Sequence, residues 1–533
     1  MHPKRAVRLL AFAGTLLLGA CSSTPRGPGA QSQFDDDGFK RFVAAIAAYG
    51  FEGRRPGTPG ADRAVSYLIA ELRLYGLKPA NHGSYLQEVP LLSLRNAAAP
   101  RLSVARTGGQ AQPLRVPADA VLWTPRESGA AELRRSRIVF VGYGIVAPKR
   151  GWNDYAHIDV HGATVVALSG EPASWNRGAK GGAERFGLAR EKFAQAAAHG
   201  AAGILLIHLP AAYADPWAAI VNRYADGLIE APRPDGHAGS AAIEGWIRAI
   251  EARRMFAAAG ADFAATVARA ARPGFRALPL DLYVDARVRA TVRHFTSPNL
   301  VAVVPGDGEH RRQYILYGAH WDGLGSGAGR DAGQILPGAV DDASGVAGWL
   351  ILAQAFAHAD RRPDRSIVFL ATTAADYGAL GARYYLDHPL FPLRDTVAEL
   401  NLQMLHIGGP TRDVSSLGPM QPPLARYLTT ATELQGRVIR PDPQPSRRRF
   451  LRSDAAWFAA RGVPALYAVG GIDDAAYGPA WGAARLDQYF AKFHDQPGDA
   501  YTAAWEVRGT LLDLRLYFET GMALANARRV ARP

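Results

Sequence analysis

Apolar residues recur at intervals of three and four along the first part of the chain. Over residues 37–48 this spacing predicts an amphipathic helix. A second helix is predicted after Thr58 and Pro59, which form a typical N-cap and first-turn pair, and Gly76 ends it. This part of the chain is therefore predicted to form two helices that each bury one face.

The rest of the chain falls into two regions with different patterns. From about 97 to 290, short β-like runs alternate with turns, and no group of His, Cys or acidic residues has metal-ligand spacing. This favours a β-rich, non-catalytic insert. From about 295, strand-like runs alternate with helical segments such as 344–358 and 511–530. That alternation predicts an α/β fold with a mixed sheet flanked by helices, and in such sheets functional residues gather at strand ends.

The N-terminus has the pattern of a secretory signal. A basic start is followed by an apolar run over 9–18, which is too short to span a bilayer. Residues 18–21 read Leu-Gly-Ala-Cys and resemble the bacterial lipobox, in which the cysteine is lipidated. The alternative is an ordinary signal peptide in which Cys21 stands by chance.

Lipidation at Cys21 would set the location of the protein. It predicts a lipid anchor at the bacterial cell envelope, and Ser22 in place of an aspartate favours the outer membrane facing the periplasm. Residues 22–35 are rich in Ser, Pro, Gly and Gln, as expected for a flexible tether. Cys21 is the single cysteine of the chain, which excludes an intrachain disulfide.

Composition narrows the class of protein. The chain has 533 residues, 48% hydrophobic and 20% charged, which indicates a globular protein of more than one domain. The formal net charge of +13 comes mostly from scattered arginines, which indicates a basic solvated surface. Attraction to an anionic membrane or wall polymer is the alternative. No nucleic-acid-binding motif is present, so a nucleic-acid partner is not expected.

Two short motifs bring candidate chemistry to strand and helix ends. His320 ends a strand-like run, and Asp322 two residues later has the right separation to orient its ring. Asp341 and Asp342 stand just before a helix, where two acids are more than an N-cap needs. Taken alone, each motif also suits a structural role, as a hydrogen-bonded histidine or a helix cap.

Two further candidates lie far from these motifs. Asp376 is the single acid in 372–381, which follows another strand-like run. His494 lies in a loop before the last helix. The distance along the chain between His494 and His320 means that only the fold can bring them together.

Read in order, these four segments resemble the co-catalytic zinc aminopeptidases of metallopeptidase family 28. The segments 51–58 and 83–89 are similar to the N-terminal part of many members, and 143–148 with 152–155 resemble the protease-associated domain. The resemblance implies a zinc-exopeptidase-type α/β fold with a β-rich protease-associated insert. It implies the following layout: signal peptide and lipobox 1–21, tether 22–35, catalytic domain 36–96, insert 97–292 and catalytic domain 293–533.

The resemblance also assigns roles at the site. It implies two zinc ions that share the carboxylate of Asp341, with His320 and His494 as ligands on either side. Asp322 would orient His320. Asp342 would follow a peptide bond that is often cis in the family and would act as a second orienting acid.

Two positions depart from the family pattern. Members carry Glu-Glu-x-Gly, with the general base first and a ligand second, whereas this chain has Ala375 and Asp376. Members also carry an aspartate ligand where this chain has Gln403. A missing base costs about a hundredfold to ten-thousandfold in rate. The half of the site that would use Gln403 is weakened, so we expect one or two zinc ions with incomplete occupancy, held best by Asp341, Asp376 and His494.

Two functional hypotheses follow. The first is a zinc-dependent aminopeptidase or related exopeptidase that cleaves peptides at the cell envelope. The second is a catalytically impaired pseudoenzyme, a lipid-anchored binding or scaffold protein. Asp495, next to His494, is a candidate stand-in for the missing acid. A third, glutaminyl-cyclase-like activity is less favoured because it also needs an acid at the position of Ala375.

Overall fold

The computed structural model describes residues 33–176, 185–209 and 215–530. The signal peptide, Cys21 and residues 22–32 of the tether lie outside the described residues, so the lipobox and the anchor stay predictions. Among the described residues, no helix is long and apolar enough to cross a membrane.

The described residues form helices and strands throughout. The helices are α1 (Asp36–Ile46), α2 (Pro59–Leu74), α3 (Ala189–Ala198), α4 (Trp217–Tyr224), α5 (Ala249–Ala258), α6 (Phe263–Ala270), α7 (Gly345–Ala357), α8 (Leu380–Asp387), α9 (Pro422–Leu434), α10 (Arg449–Arg452), α11 (Ala455–Ala460), α12 (Gly478–Lys492) and α13 (Arg508–Asn526). The strands are β1 (Lys78–Pro79), β2 (Leu86–Asn96), β3 (Arg101–Arg106), β4 (Gln112–Leu114), β5 (Ala120–Trp123), β6 (Ala130–Phe140), β7 (Val146–Ala147), β8 (Trp152–Asn153), β9 (Thr164–Leu168), β10 (Gly203–His208), β11 (Gly227–Glu230), β12 (Ile243–Arg248), β13 (Leu278–Val304), β14 (Tyr314–His320), β15 (Ser366–Thr372), β16 (Thr396–Asn401), β17 (Asp413–Ser416), β18 (Val438–Pro441) and β19 (Ala465–Gly470).

Both N-terminal helices are capped by a side chain, and the cap of the second is the one that the sequence predicts. The Asp35 side chain accepts a hydrogen bond from the Gly38 amide at the start of α1. The Thr58 hydroxyl accepts one from the Ala61 amide at the start of α2, with Pro59 in the first turn. Both helices were predicted from the sequence, and their existence and positions are confirmed.

A mixed central sheet carries the candidate site. Strands β14, β15, β16 and β19 are parallel neighbours in the order β15–β14–β16–β19, and β13 joins β15 antiparallel. The four parallel strands are buried at every position except Tyr314, the first residue of β14, because helices cover both faces. Helices α1, α2, α7, α9 and α13 pack on one face, and α8 and α11 pack on the other. The predicted α/β architecture is confirmed.

The insert has its own sheet, which shares one strand with the central sheet. Strands β5, β12, β10, β9, β6, β13, β3 and β4 lie side by side in that order. The first part of β13 pairs with β3 and β6, and its last part pairs with β2 and β15. The predicted boundary between 292 and 293 therefore falls inside one continuous strand. This shared strand connects the insert directly to the sheet that carries the site.

Arg54 connects the N-terminal segment to the loops of the site. Its buried guanidinium donates hydrogen bonds to the backbone carbonyls of Ile46, Trp321, Pro337 and Gly338, at 2.7 to 3.1 Å. Trp321 follows His320, and Gly338 opens the turn that leads to the adjacent acids. One side chain thus holds three separate segments of backbone together.

We expect Arg54→Met to lower the free energy of unfolding by about 3 kcal/mol or more, because it leaves several buried carbonyls without a donor. Urea unfolding followed by tryptophan fluorescence measures the change. Arg63→Met is the matched control: Arg63 forms a half-exposed ion pair with Glu52, which contributes about 1 kcal/mol or less. Equal destabilisation by the two variants would contradict a connecting role for Arg54.

Candidate metal centre

His320 stands at the C-terminal end of β14 with both ring nitrogens next to carboxylates. Its Nε2 atom lies 3.2 Å from Oδ1 of Asp341, and its Nδ1 atom lies 3.3 Å from Oδ1 of Asp322. All three side chains are buried, with less than a tenth of their surface exposed. Asp322 is therefore placed to set the ring orientation, as the resemblance implies.

The turn that carries Asp341 is fixed by two neighbouring acids. Asp499 accepts hydrogen bonds from the backbone amides of Val340 and Asp341. Asp342, which follows a cis peptide bond, accepts from the backbone amides of three residues: His320, Gly345 and Met404. Its oxygens are thus committed to backbone donors, so Asp342 joins the loops after β14 and β16 and holds the turn in place.

His494 reaches the same carboxylate from the loop between α12 and α13. Its Nε2 atom lies 3.1 Å from Oδ2 of Asp341, on the opposite side from His320. Asp341 therefore stands between two histidines that are far apart in the sequence. The fold brings together His320, Asp341 and His494, as the resemblance implies.

The two substituted positions face the same space. Ala375, Asp376 and Gln403 line a cavity of about 180 Å³, together with Asp341 and His494. The Ala375 amide donates to Oδ1 of Asp322 at 3.3 Å, which ties the loop after β15 to the His320 loop. The side chain at 375 is a methyl group and accepts no proton, so the cavity has no carboxylate at that position.

The insert contributes two charged residues that sequence reasoning missed. Nη2 of Arg223, on α4, lies 2.5 Å from Oδ2 of Asp495 and 3.7 Å from Oδ1 of Asp376. Oδ1 of Asp215 lies 3.7 Å from Nδ1 of His494. Neither residue stands in a motif, and Arg223 is one of 61 basic residues, so no sequence signal distinguished them. The insert is part of the site, whereas the sequence favoured a non-catalytic insert.

Burial and neighbouring charges determine the protonation of the centre. Burial alone would lower the pKa of His494, but the carboxylates of Asp495, Asp341 and Asp215 outweigh burial and raise the pKa to about 9. The pKa of His320 is likewise raised well above its ordinary value by the three acids around it, against the effect of burial. For Asp342, burial raises the pKa to about 7.

The donor set around Asp341 fits zinc. Imidazole nitrogens and carboxylate oxygens are donors that zinc prefers. Two ligands about 2.0–2.1 Å from a tetrahedral zinc stand about 3.3 Å apart. The distances of 3.2 Å from His320 and 3.1 Å from His494 to the Asp341 oxygens match that separation. Asp376 fits less well, because a guanidinium already faces its carboxylate.

We expect His494 to stabilise the metal-free protein in a pH-dependent way. A raised pKa means that its contribution is complete below about pH 6.5, the ordinary histidine value, and is lost as the pH rises through 9. The difference in unfolding free energy between the wild type and His494→Gln, with chelator present, should therefore shrink by on the order of 3 kcal/mol from pH 6 to 10. A difference that does not vary with pH would contradict the assigned contacts of His494.

The comparisons with known proteins agree with this geometry. Residues 299–514 match the family model described as Peptidase family M28. Over 106 residues the chain is 44% identical to a probable zinc metalloprotease of Pyrenophora tritici-repentis, which covers 20% of this chain and 24% of that protein. Over 157 residues it is 28% identical to the mouse aminopeptidase NAALADL1, covering 28% of this chain and 20% of that protein. The matches thus span about a quarter or less of these two relatives.

Two solved structures share the fold over nearly the whole chain. One is an aminopeptidase from Aneurinibacillus sp. strain AM-1, with 17% identity, a TM-score of 0.54, and coverage of 95% of this chain and 97% of that one. The other is a peptidase M28 precursor from Shewanella amazonensis SB2B, with 18% identity, a TM-score of 0.51, and coverage of 95% and 96%. Residues 299–514 thus match the model of peptidase family M28, and the two solved structures show that the chain shares their fold.

Proposed function

We propose that this protein is a zinc-dependent exopeptidase-type hydrolase of peptides whose rate is reduced by its altered site. One observation carries the proposal: the Asp341 carboxylate stands between Nε2 of His320 and Nε2 of His494 at zinc-ligand separations. Structural residues would not need two buried histidines on one carboxylate. The family membership of residues 299–514 supports the same reaction class.

Each residue of the centre has a distinct role in the proposed reaction. Zinc, when bound, would polarise the substrate carbonyl and make water a stronger acid. His320, Asp341 and His494 would hold the ion, and Asp322 would keep the His320 ring in position. Ala375 gives no proton acceptor at the position of the family's base. Asp495 is paired with Arg223, so it is poorly placed to replace that base.

A pseudoenzyme that binds peptides without cleaving them is the second candidate. Ala375 favours it, and so does the guanidinium of Arg223 beside Asp376, since both features weaken the catalytic centre. The intact cavity would then serve for ligand binding.

In either case we propose a location at the bacterial cell envelope, anchored through Cys21, with the net charge of +13 favouring contact with anionic surfaces.

We expect the purified mature protein to contain zinc and to release aniline from aminoacyl-anilides slowly. Metal analysis by mass spectrometry and a panel of anilides, with and without added Zn²⁺ or chelator, measure both properties. Turnover that a chelator removes and zinc restores would exclude the pseudoenzyme. Protein that binds no zinc and gives no turnover would exclude the exopeptidase.

We expect Ala375→Glu combined with Gln403→Asp to raise zinc occupancy and to raise turnover by about a hundredfold to ten-thousandfold, because the pair restores a proton acceptor and a charged ligand. Ala375→Gln with Gln403→Asn is the matched control, with the same shapes and no added carboxylate. If the acidic pair gives no more zinc or turnover than the amide pair, these two positions do not occupy the assigned places.

A further inference from the structure

Helix α4 of the insert is fastened to the loop that carries His494. The Asn222 amide donates to the backbone carbonyl of Asp495 at 2.8 Å and to the side chain of Asp331 at 3.0 Å, and its oxygen accepts from the Ala328 amide. These contacts fix the helix immediately before Arg223. The position of the guanidinium is therefore built into the packing between the insert and the catalytic domain.

The Arg223 guanidinium lies between the carboxylates of Asp376 and Asp495. Its side chain is 6% exposed, and those of Asp376 and Asp495 are 11% and 5% exposed. Among the described residues, no other Lys, Arg or His nitrogen lies within 4.0 Å of the Asp376 carboxylate. Asp495 also faces His494, at 3.6 Å, so Arg223 is the cation that contacts both Asp376 and Asp495.

The same carboxylates form a group that could hold a metal ion. Asp341, Asp376 and Asp495 each offer one oxygen, and these oxygens lie within 4.8 Å of one another. Each of these side chains is about a tenth exposed or less, and a nearby cation stabilises their charged forms, since each carboxylate raises the cost of ionising the others. A guanidinium and a divalent ion would compete for these oxygens, and a positive charge at about 4 Å would weaken binding of the ion by about a hundredfold or more.

We propose that Arg223 is the resident cation of the Asp376–Asp495 pair and keeps a metal ion out of it. The positive charge that a second zinc would bring is then provided by a side chain of the insert. The inference deepens the proposed function and rests on it for the identity of the ion. It assigns Asp376 to an ion pair, and it limits the chain to the one ion that His320, Asp341 and His494 would hold.

Removing the charge of Arg223 tests this assignment. We expect Arg223→Met, which keeps most of the side-chain volume, to bind one more zinc per chain than the wild type in calorimetric titration and in metal analysis after dialysis. Arg95→Met is the matched control, because Arg95 forms an exposed ion pair with Asp226 away from the centre, and it should leave zinc binding unchanged. Equal zinc number and affinity in Arg223→Met and the wild type would overturn the proposal.

A second variant covers the case in which Arg223→Met does not fold. Asp376→Asn keeps the pair between Arg223 and Asp495, so the wild-type zinc number should persist. Loss of an ion from Asp376→Asn, or two tightly bound ions in the wild type, would overturn the proposal. None of these measurements depends on turnover. If the wild type has neither activity nor zinc, the exopeptidase proposal is wrong, but zinc binding by Arg223→Met still tests the role of Arg223.

Discussion

The structure of the centre depends on how a buried carboxylate is kept charged. Asp341 is surrounded by low-dielectric protein, and burial alone would favour its neutral form. The two histidines on its oxygens outweigh that effect and hold its pKa well below the ordinary value. His320 ends strand β14 and His494 lies in the loop between α12 and α13. The charge of Asp341 is therefore compensated only while the central sheet and the loop between α12 and α13 keep their relative positions.

The same electrostatic requirement explains why the insert matters to the centre. Little of the Asp376 and Asp495 side chains is exposed, and Arg223 on α4 brings a positive charge to both carboxylates, while His494 also faces Asp495. The insert also shares strand β13 with the central sheet, so the part of the chain that contains α4 is connected to that sheet by a continuous strand. A domain without recognisable ligand motifs thus becomes an electrostatic component of the centre.

This arrangement of side chains is compatible with both proposed functions, a slow exopeptidase and a protein that binds peptides without cleaving them. The structure brings together the turn at Asp341, the carboxylate of Asp322 and the two histidines, as the family resemblance implies. Ala375 and Gln403 stand where the resemblance implies a general base and a metal ligand, and under the proposed function these two contributions are the ones reduced. Positioning and proton transfer are separate contributions to catalysis, so losing one leaves the other in place.

The sequence by itself determined the secondary structure, the fold class and the residues at strand ends, because periodicity, capping and motif spacing are local along the chain. It also placed His320, Asp341, Ala375 and Gln403 at one centre, but only through resemblance to a family. The tertiary structure alone decided that Arg223 faces Asp376. That contact joins residues far apart in the chain, and no local pattern encodes which of many arginines is buried against an acid.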